Sequence, residues 1–273
     1  MRVSLGIYQI PRNGTDPQNS EDAVAHAAIP TRLALEDPVG ISRQQAFTQE
    51  THFTLEEGVT LRCALADGAG STFDPGSWAK RLVHTFVTCP PRDSGLHMWT
   101  SILGKEWCEE LEPGKLPWYA QEKFRRRGSA STLVGLEIGH HPNGQHIGFE
   151  WKALALGDSV LLHVRNGCLE KTLPLTNSAE FECSPALLSI DPEYNRRSLR
   201  QLHTEKGTCQ DGDVFLLASD ALGEWLLRSA ENSPDWTSLI GNLEENFESR
   251  VSSLQNNGKV DRDDASLAVI DIG

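Results

Sequence analysis

Asp213 to Ser219 is the most apolar run of the chain, and it stops on an acid, Asp220. A short apolar run bounded by turn-forming residues buries as a strand. Thr60 to Ala66 has the same form and stops on Asp67-Gly68. Val3 to Ile10, Asp22 to Ile29 and Asp264 to Ile272 also read as strands. Ser131 to Ile138, Ile147 to Leu156 and Val160 to Arg165 follow in series. Pro142-Asn143-Gly144 and Gly157-Asp158 divide these three, and Asn166-Gly167 closes the last. Helical spacing predicts helices over Pro75 to Val87, Ser94 to Leu111, Trp118 to Arg127, Ala221 to Ser229 and Trp236 to Leu254. Thr172 to Leu199 is polar and proline-containing and reads as a surface excursion. Strand runs grouped around helical runs argue for sheets with helices packed outside. No repeat or Gly/Ser-rich linker divides residues 1–273, so a single domain is expected.

Charge narrows the partners. The formal net charge is −13, which repels nucleic-acid backbones and anionic membranes, so neither is an expected partner. The N-terminus runs directly into an alternating pattern with no long apolar stretch, and the expected location is the cytoplasm. Cys63, Cys89, Cys108, Cys168, Cys183 and Cys209 form no CxxC pair, and they read as reduced structural thiols.

The acids stand where strands begin and end. Glu21 and Asp22 open a strand, Asp67 and Asp220 each close one, and Asp263 precedes the last. Each alone has an ordinary explanation: a turn before glycine, a helix N-cap, or a solvated loop. Together, acids at one end of packed strands would repel one another unless protonated or bridged by cations. Oxygen ligands alone favour a hard ion such as Mg²⁺ or Mn²⁺.

Six segments then occur in order along nearly the whole chain. They are Asn19-Ser20-Glu21-Asp22-Ala23, Ala66-Asp67-Gly68-Ala69-Gly70, Gly128-Ser129-Ala130-Ser131-Thr132, Gly157-Asp158-Ser159, Leu216 to Leu222 around Asp220, and Asp263-Asp264-Ala265-Ser266-Leu267. In this the chain resembles the metal-dependent protein phosphatases of the 2C type, in particular their bacterial single-domain members. The resemblance implies an α+β fold: a four-layer αββα sandwich of two antiparallel β-sheets flanked by helices. It implies hydrolysis of phosphoserine and phosphothreonine in proteins by a metal-activated water, without a covalent enzyme intermediate. The implied cofactors are two Mn²⁺ or Mg²⁺ ions, with a third in some bacterial members.

By the same resemblance Asp67 would bridge the two ions. Glu21 and the carbonyl of Gly68 would complete one shell, Asp220 and Asp263 would hold the other ion, and Asp22 would sit beside them, binding metal-bound water or a metal directly. Asp158 matches the third-ion position. The implied partner is a phosphorylated protein, a cognate Ser/Thr kinase or its target.

Three departures stand out. The family carries an arginine shortly before the Glu-Asp pair, whereas here the nearest basic residue is Arg12, across a short loop. Arg12 either reaches the site to grip phosphate as a catalytic residue or remains an ordinary surface arginine. The family's Ser-Asp-Gly is Ser219-Asp220-Ala221, and Val160 follows Gly-Asp-Ser where an arginine is frequent. The missing upstream arginine and Ala221 give some weight to an alternative reading, a catalytically weak pseudophosphatase that binds phosphoproteins, although the whole carboxylate set is retained; a phosphatase for small molecules is a third. Arg125-Arg126-Arg127 reads as a solvated helix end, and His140, His141 and His146 as hairpin residues. Trp78, Trp99, Trp107, Trp225 and Leu226 read as buried helix faces.

Overall fold

A computed structural model of the chain describes residues 1–12, 20–30, 48–92, 95–140, 148–181, 184–232 and 235–273. The strands are β1 (Arg2–Ile10), β2 (Asp22–Pro30), β3 (Thr48–Thr54), β4 (Val59–Asp67), β5 (Ala130–Ser131), β6 (Leu133–His140), β7 (Phe149–Leu156), β8 (Val160–Arg165), β9 (Cys168–Leu173), β10 (Leu188–Ser189), β11 (His203–Thr208), β12 (Asp213–Ala218) and β13 (Ala265–Ile272). The helices are α1 (Pro75–Thr88), α2 (Leu96–Leu111), α3 (Trp118–Arg127), α4 (Pro192–Ser198), α5 (Asp220–Asn232), α6 (Trp236–Glu245) and α7 (Phe247–Asn256).

Two antiparallel sheets carry the architecture. One has the order β3-β1-β13-β12-β8-β9 and the other β11-β7-β6-β4-β2, with a short β10-β5 pair beside them. Period-two alternation sorts the side chains of each strand into two layers. Leu61, Cys63 and Leu65 of β4 join Phe215 and Leu217 of β12 and Ala268 and Ile270 of β13 in the core between the sheets. The alternate residues Leu216, Ala218, Leu267 and Val269 face outward into a second core with Trp225, Leu226, Trp236 and Val251 of α5, α6 and α7. Ala23, Ala25, Ala64 and Ala66 face outward from the other sheet against Trp78, Leu82 and Phe86 of α1 and Trp107 of α2. Small alanines there let a helix carrying a large indole lie close to the sheet. The layers therefore run helix, sheet, sheet, helix, the expected αββα sandwich.

Sequence expectation and structure differ in three places. Trp236 to Leu254 is two helices, because Asn246 leaves helical geometry at φ −144° and ψ 44°. The strands β3, β9 and β11 were not expected; they carry many exposed polar residues and lie at or near sheet edges, where the apolar pattern weakens. The second half of Thr172 to Leu199 is packed down, not a loose excursion. The buried amide of Asn195 takes the Ser189 N–H and donates to the Ser189 carbonyl, both at 2.7 Å. Trp78 donates its indole N–H to the Leu188 carbonyl at 2.8 Å, so α1 pins the same segment.

The indoles of Trp78 and Trp107 and Trp225 are buried as expected, while Trp99 is partly buried and donates to the Cys89 carbonyl. Arg125 and Arg126 end α3 in solvent and pair with Glu122. Among the described residues Cys63, Cys89, Cys108, Cys168 and Cys209 are free thiols. Asn19, Ser94, His141, His146, the Pro142-Asn143-Gly144 turn and Cys183 lie outside the described residues. No helix among the described residues is long and apolar enough to cross a membrane.

Candidate active site

The strand-end acids converge. Asp22 is the first residue of β2 and Asp67 the last of β4, and antiparallel pairing sets them directly opposite each other. Asp220 opens α5 immediately after β12, and its carboxylate accepts its neighbour's Ala221 N–H at 2.6 Å. Asp158 lies in the turn between β7 and β8, after Gly157 at φ +107°, a backbone setting that glycine adopts without strain. Asp263 lies just before β13 and is exposed.

Their mutual repulsion is visible in their proton affinities. Burial first, and then Asp264, raises Asp22 to about 8. Asp67 is pushed well above the usual carboxylate range by burial and by Asp22, Asp220 and Asp158. Burial and Asp220 raise Asp158 to about 7. Asp220 is raised by burial and by Asp263. These four acids, from both sheets, therefore occupy one electrostatic environment. As placed, no three His, Cys, Asp or Glu side chains among the described residues close around one point as a finished ion cage.

Asp22 tests whether a cation suits the place. It is 1% exposed, yet neither carboxylate oxygen has a hydrogen-bond partner. The hydroxyls of Ser219 and Ser266 stand near enough to ease its charge, but neither forms a hydrogen bond with it by distance and angle. Buried polar atoms are otherwise nearly always paired, and an all-oxygen donor set suits a hard divalent ion. The residues present thus fit the cation that the motif order implies.

Glycines shape the neighbouring wall. A Cβ at Gly68 would lie 2.7 Å from the Pro75 carbonyl carbon and 2.8 Å from the Glu21 carbonyl oxygen. The Gly68 N–H donates to that Glu21 carbonyl at 3.0 Å, so the Asp67-Gly68 turn is bonded to the strand carrying Glu21 and Asp22. Below the turn, the Asp67 carbonyl accepts from the Thr132 N–H and the Ser131 hydroxyl, and the Asp67 N–H donates to the Thr132 hydroxyl. The Ser131-Thr132 motif therefore holds the backbone of the acidic turn.

No protein-family model matches the chain, and no curated protein matches its sequence. Solved structures match it in shape. A bacterial serine phosphatase aligns over 98% of this chain and 97% of its own, with 12% identity and a TM-score of 0.54. The S. agalactiae serine/threonine phosphatase aligns over 98% of this chain and 100% of its own, with 13% identity and a TM-score of 0.51. The fold is that of the 2C-type phosphatases.

On this 2C-type frame Arg12 comes to the acids. Its guanidinium Nη1 stands 3.9 Å from Asp263 Oδ1, with both side chains more than half exposed. Glu21 is raised by burial, Asp264 and Asp263, and lowered by Arg12 and Lys123. Asp263 and Arg12 thus form the exposed rim with half-buried Glu21 beside them, while Asp22 and Asp158 lie deeper.

Two residues were missed by motif reasoning. Asp264 is 7% exposed and accepts the Arg12 N–H, the Ser20 hydroxyl and the Glu21 N–H. The acidic doublet Asp263-Asp264 was a visible signal, but one strand-end acid sufficed for the motif. Lys123, inside α3, brings a cation near Glu21, and nothing in its sequence setting distinguishes it from a solvated helix lysine.

Proposed function

We propose that the chain is a phosphoric monoester hydrolase acting on phosphoserine and phosphothreonine in proteins, dependent on Mn²⁺ or Mg²⁺. The observation that carries this reading is the buried Asp22 carboxylate, with no hydrogen-bond partner, directly opposite Asp67 at the end of two paired strands. The fold shared with a bacterial serine phosphatase and a serine/threonine phosphatase supports it.

Asp67, with Asp22, Glu21 and the Gly68 carbonyl, would hold one cation, and Asp67, Asp220 and Asp263 the other. Asp158 would contribute to a third. Two such cations supply Lewis acidity that activates water near neutral pH and offsets charge on the phosphoryl oxygens. The chain's own residues set the geometry for that chemistry. Asp67 and Asp22 enter on rigid strand ends, so their separation is fixed by ladder hydrogen bonds. Asp220 is oriented by the Ala221 N–H and Asp263 by the Asp264 N–H at 3.0 Å. Arg12 on the rim is the group to grip the phosphate through its planar fork of donors. Cells would supply a phosphorylated protein as substrate, with a cognate Ser/Thr kinase or its target as the partner.

The test is hydrolysis of p-nitrophenyl phosphate and of a phosphothreonine peptide with Mn²⁺, with Mg²⁺ and with EDTA. Metal-dependent turnover that disappears in Asp220→Asn, with the fold retained by circular dichroism, is expected. Absence of turnover from folded protein with either metal would overturn the enzymatic reading.

A further inference from the structure

Asp264 lies where the two sheets meet, beyond the end of the β1–β13 ladder, whose last pair is Ile10 with Ala265. One oxygen, Oδ1, takes the backbone N–H of Arg12 at 2.5 Å. The other, Oδ2, takes the Ser20 hydroxyl at 2.9 Å and the Glu21 N–H at 2.7 Å. Arg12 leaves β1 in the six-stranded sheet, and Glu21 leads into β2 in the five-stranded sheet. All three contacts bring a hydrogen to the carboxylate. An ionised carboxylate can accept on both sides, whereas an amide offers one oxygen and turns its NH₂ against an N–H. Burying such a group is costly without partners, and three donors offset that cost.

We propose that Asp264 is a positioning residue for the phosphate-binding arginine and the metal-side acids together. Its two oxygens tie the backbone of Arg12 to that of Glu21, so the rim cation and the Glu21-Asp22 pair keep a fixed spacing. This rests on the phosphatase reading of the site. The clamp also accounts for an arginine so far ahead of the Glu-Asp pair reaching the rim: a backbone hydrogen bond at Arg12 sets the root of the side chain whose guanidinium then stands beside Asp263. The Ser20 hydroxyl extends the same clamp, because Oγ also accepts the Asp22 N–H at 3.2 Å.

The experiment compares wild type with Asp264→Ala and Asp264→Asn by three readouts. Amide exchange in EDTA reads the clamp itself, calorimetric Mn²⁺ titration reads the acids, and kcat and KM on a phosphothreonine peptide read the arginine. In Asp264→Ala the Arg12 and Glu21 amides lose protection and Mn²⁺ binding weakens about 10- to 100-fold, as for other groups that orient metal ligands. KM rises more than kcat falls. Asp264→Asn keeps the oxygen that serves Ser20 and Glu21, so Mn²⁺ binding is largely restored while Arg12 protection stays lost and KM stays high. A folded Asp264→Ala protein with wild-type Mn²⁺ affinity and KM would overturn the proposal, since a purely structural clamp alters stability alone. If the alanine variant does not fold, wild-type Arg12 protection and KM in Asp264→Asn overturn it. If wild type hydrolyses no phosphate ester, the phosphatase reading fails, while amide exchange and Mn²⁺ titration still decide whether Asp264 holds Arg12 and the acids.

Discussion

Asp22 and Asp67 face each other across paired strands β2 and β4, two carboxylates in register at the point where the ladder ends. Ladder geometry sets directly opposite side chains about 5 Å apart, and like charges placed so are destabilising. Burial and then Asp264 raise Asp22 to about 8, and burial and then Asp22 push Asp67 well above the usual carboxylate range. Asp67→Asn removes one charge and keeps the shape. In EDTA the variant is expected to melt about 2–4 °C above wild type, the shift that roughly 1 kcal/mol gives in a chain of this class. Its Mn²⁺-dependent turnover disappears. A lower melting temperature in calorimetry, or retained turnover, contradicts the assignment.

Gly70 separates site from stability. A Cβ there would stand 2.8 Å from Glu21 Oε2, the far end of a side chain that can swing away. Gly70→Ala is therefore expected to change unfolding by no more than about 0.5 kcal/mol. Displacing Glu21 weakens Mn²⁺ by about tenfold. Gly68→Ala behaves differently, because its new carbon meets the Pro75 backbone and the Glu21 carbonyl. Its cost is about 1–3 kcal/mol of stability. Paired urea melts and Mn²⁺ titrations distinguish the two.

Arg62 anchors α1 away from the acids. It donates to Glu137 at 2.9 Å and to the Val87 and Thr88 carbonyls at 3.2 and 3.3 Å, in the last turn of the helix. Lys152 holds the other Glu137 oxygen at 2.9 Å. Arg62→Met leaves helix-end carbonyls without a donor and Glu137 with one cation. The expected loss is about 2–3 kcal/mol in denaturant unfolding. Turnover per folded molecule should not change; a fall in kcat at full folding would show that α1 transmits strain to the Gly68 turn.

His26 gives the protein an acid sensitivity independent of the acids. It shares the inward face of β2 with Val24, lies opposite Cys63, and has no partner for Nδ1. Burial lowers its proton affinity below the ordinary 6.5. The unfolded chain therefore takes up a proton at a pH where the folded chain does not. Stability from this group is present above about pH 6.5 and is lost as pH falls toward the folded value. His26→Leu should lose less stability than wild type between about pH 7.5 and pH 5.5. Equal losses in urea melts at the two pH values would remove His26 from the account.

The central strands were legible because each alternates fully: Leu61, Cys63 and Leu65 inward, Ala64 and Ala66 outward, and likewise along β12 and β13. The edge strands β3 and β11 were not, since strands with one open side tolerate polar residues on both faces. The break at Asn246 was hidden because Trp236 to Leu254 keeps its apolar spacing through it.

The site divides along the same physical line. Short motifs at strand ends picked out Glu21, Asp22, Asp67, Asp220 and Asp263 as candidates, because turn chemistry and apolar runs mark where strands stop, and the family resemblance added Asp158. Sequence order alone could not bring Asp22 opposite Asp67, nor set Arg12 beside Asp263, since those distances depend on antiparallel register and sheet packing. It could not reveal Asp264 as a three-donor acceptor or Lys123 as a neighbour of Glu21, because their partners lie far away in the chain. Local pattern determines which residues end a strand; only the packed sheets decide which of those ends meet.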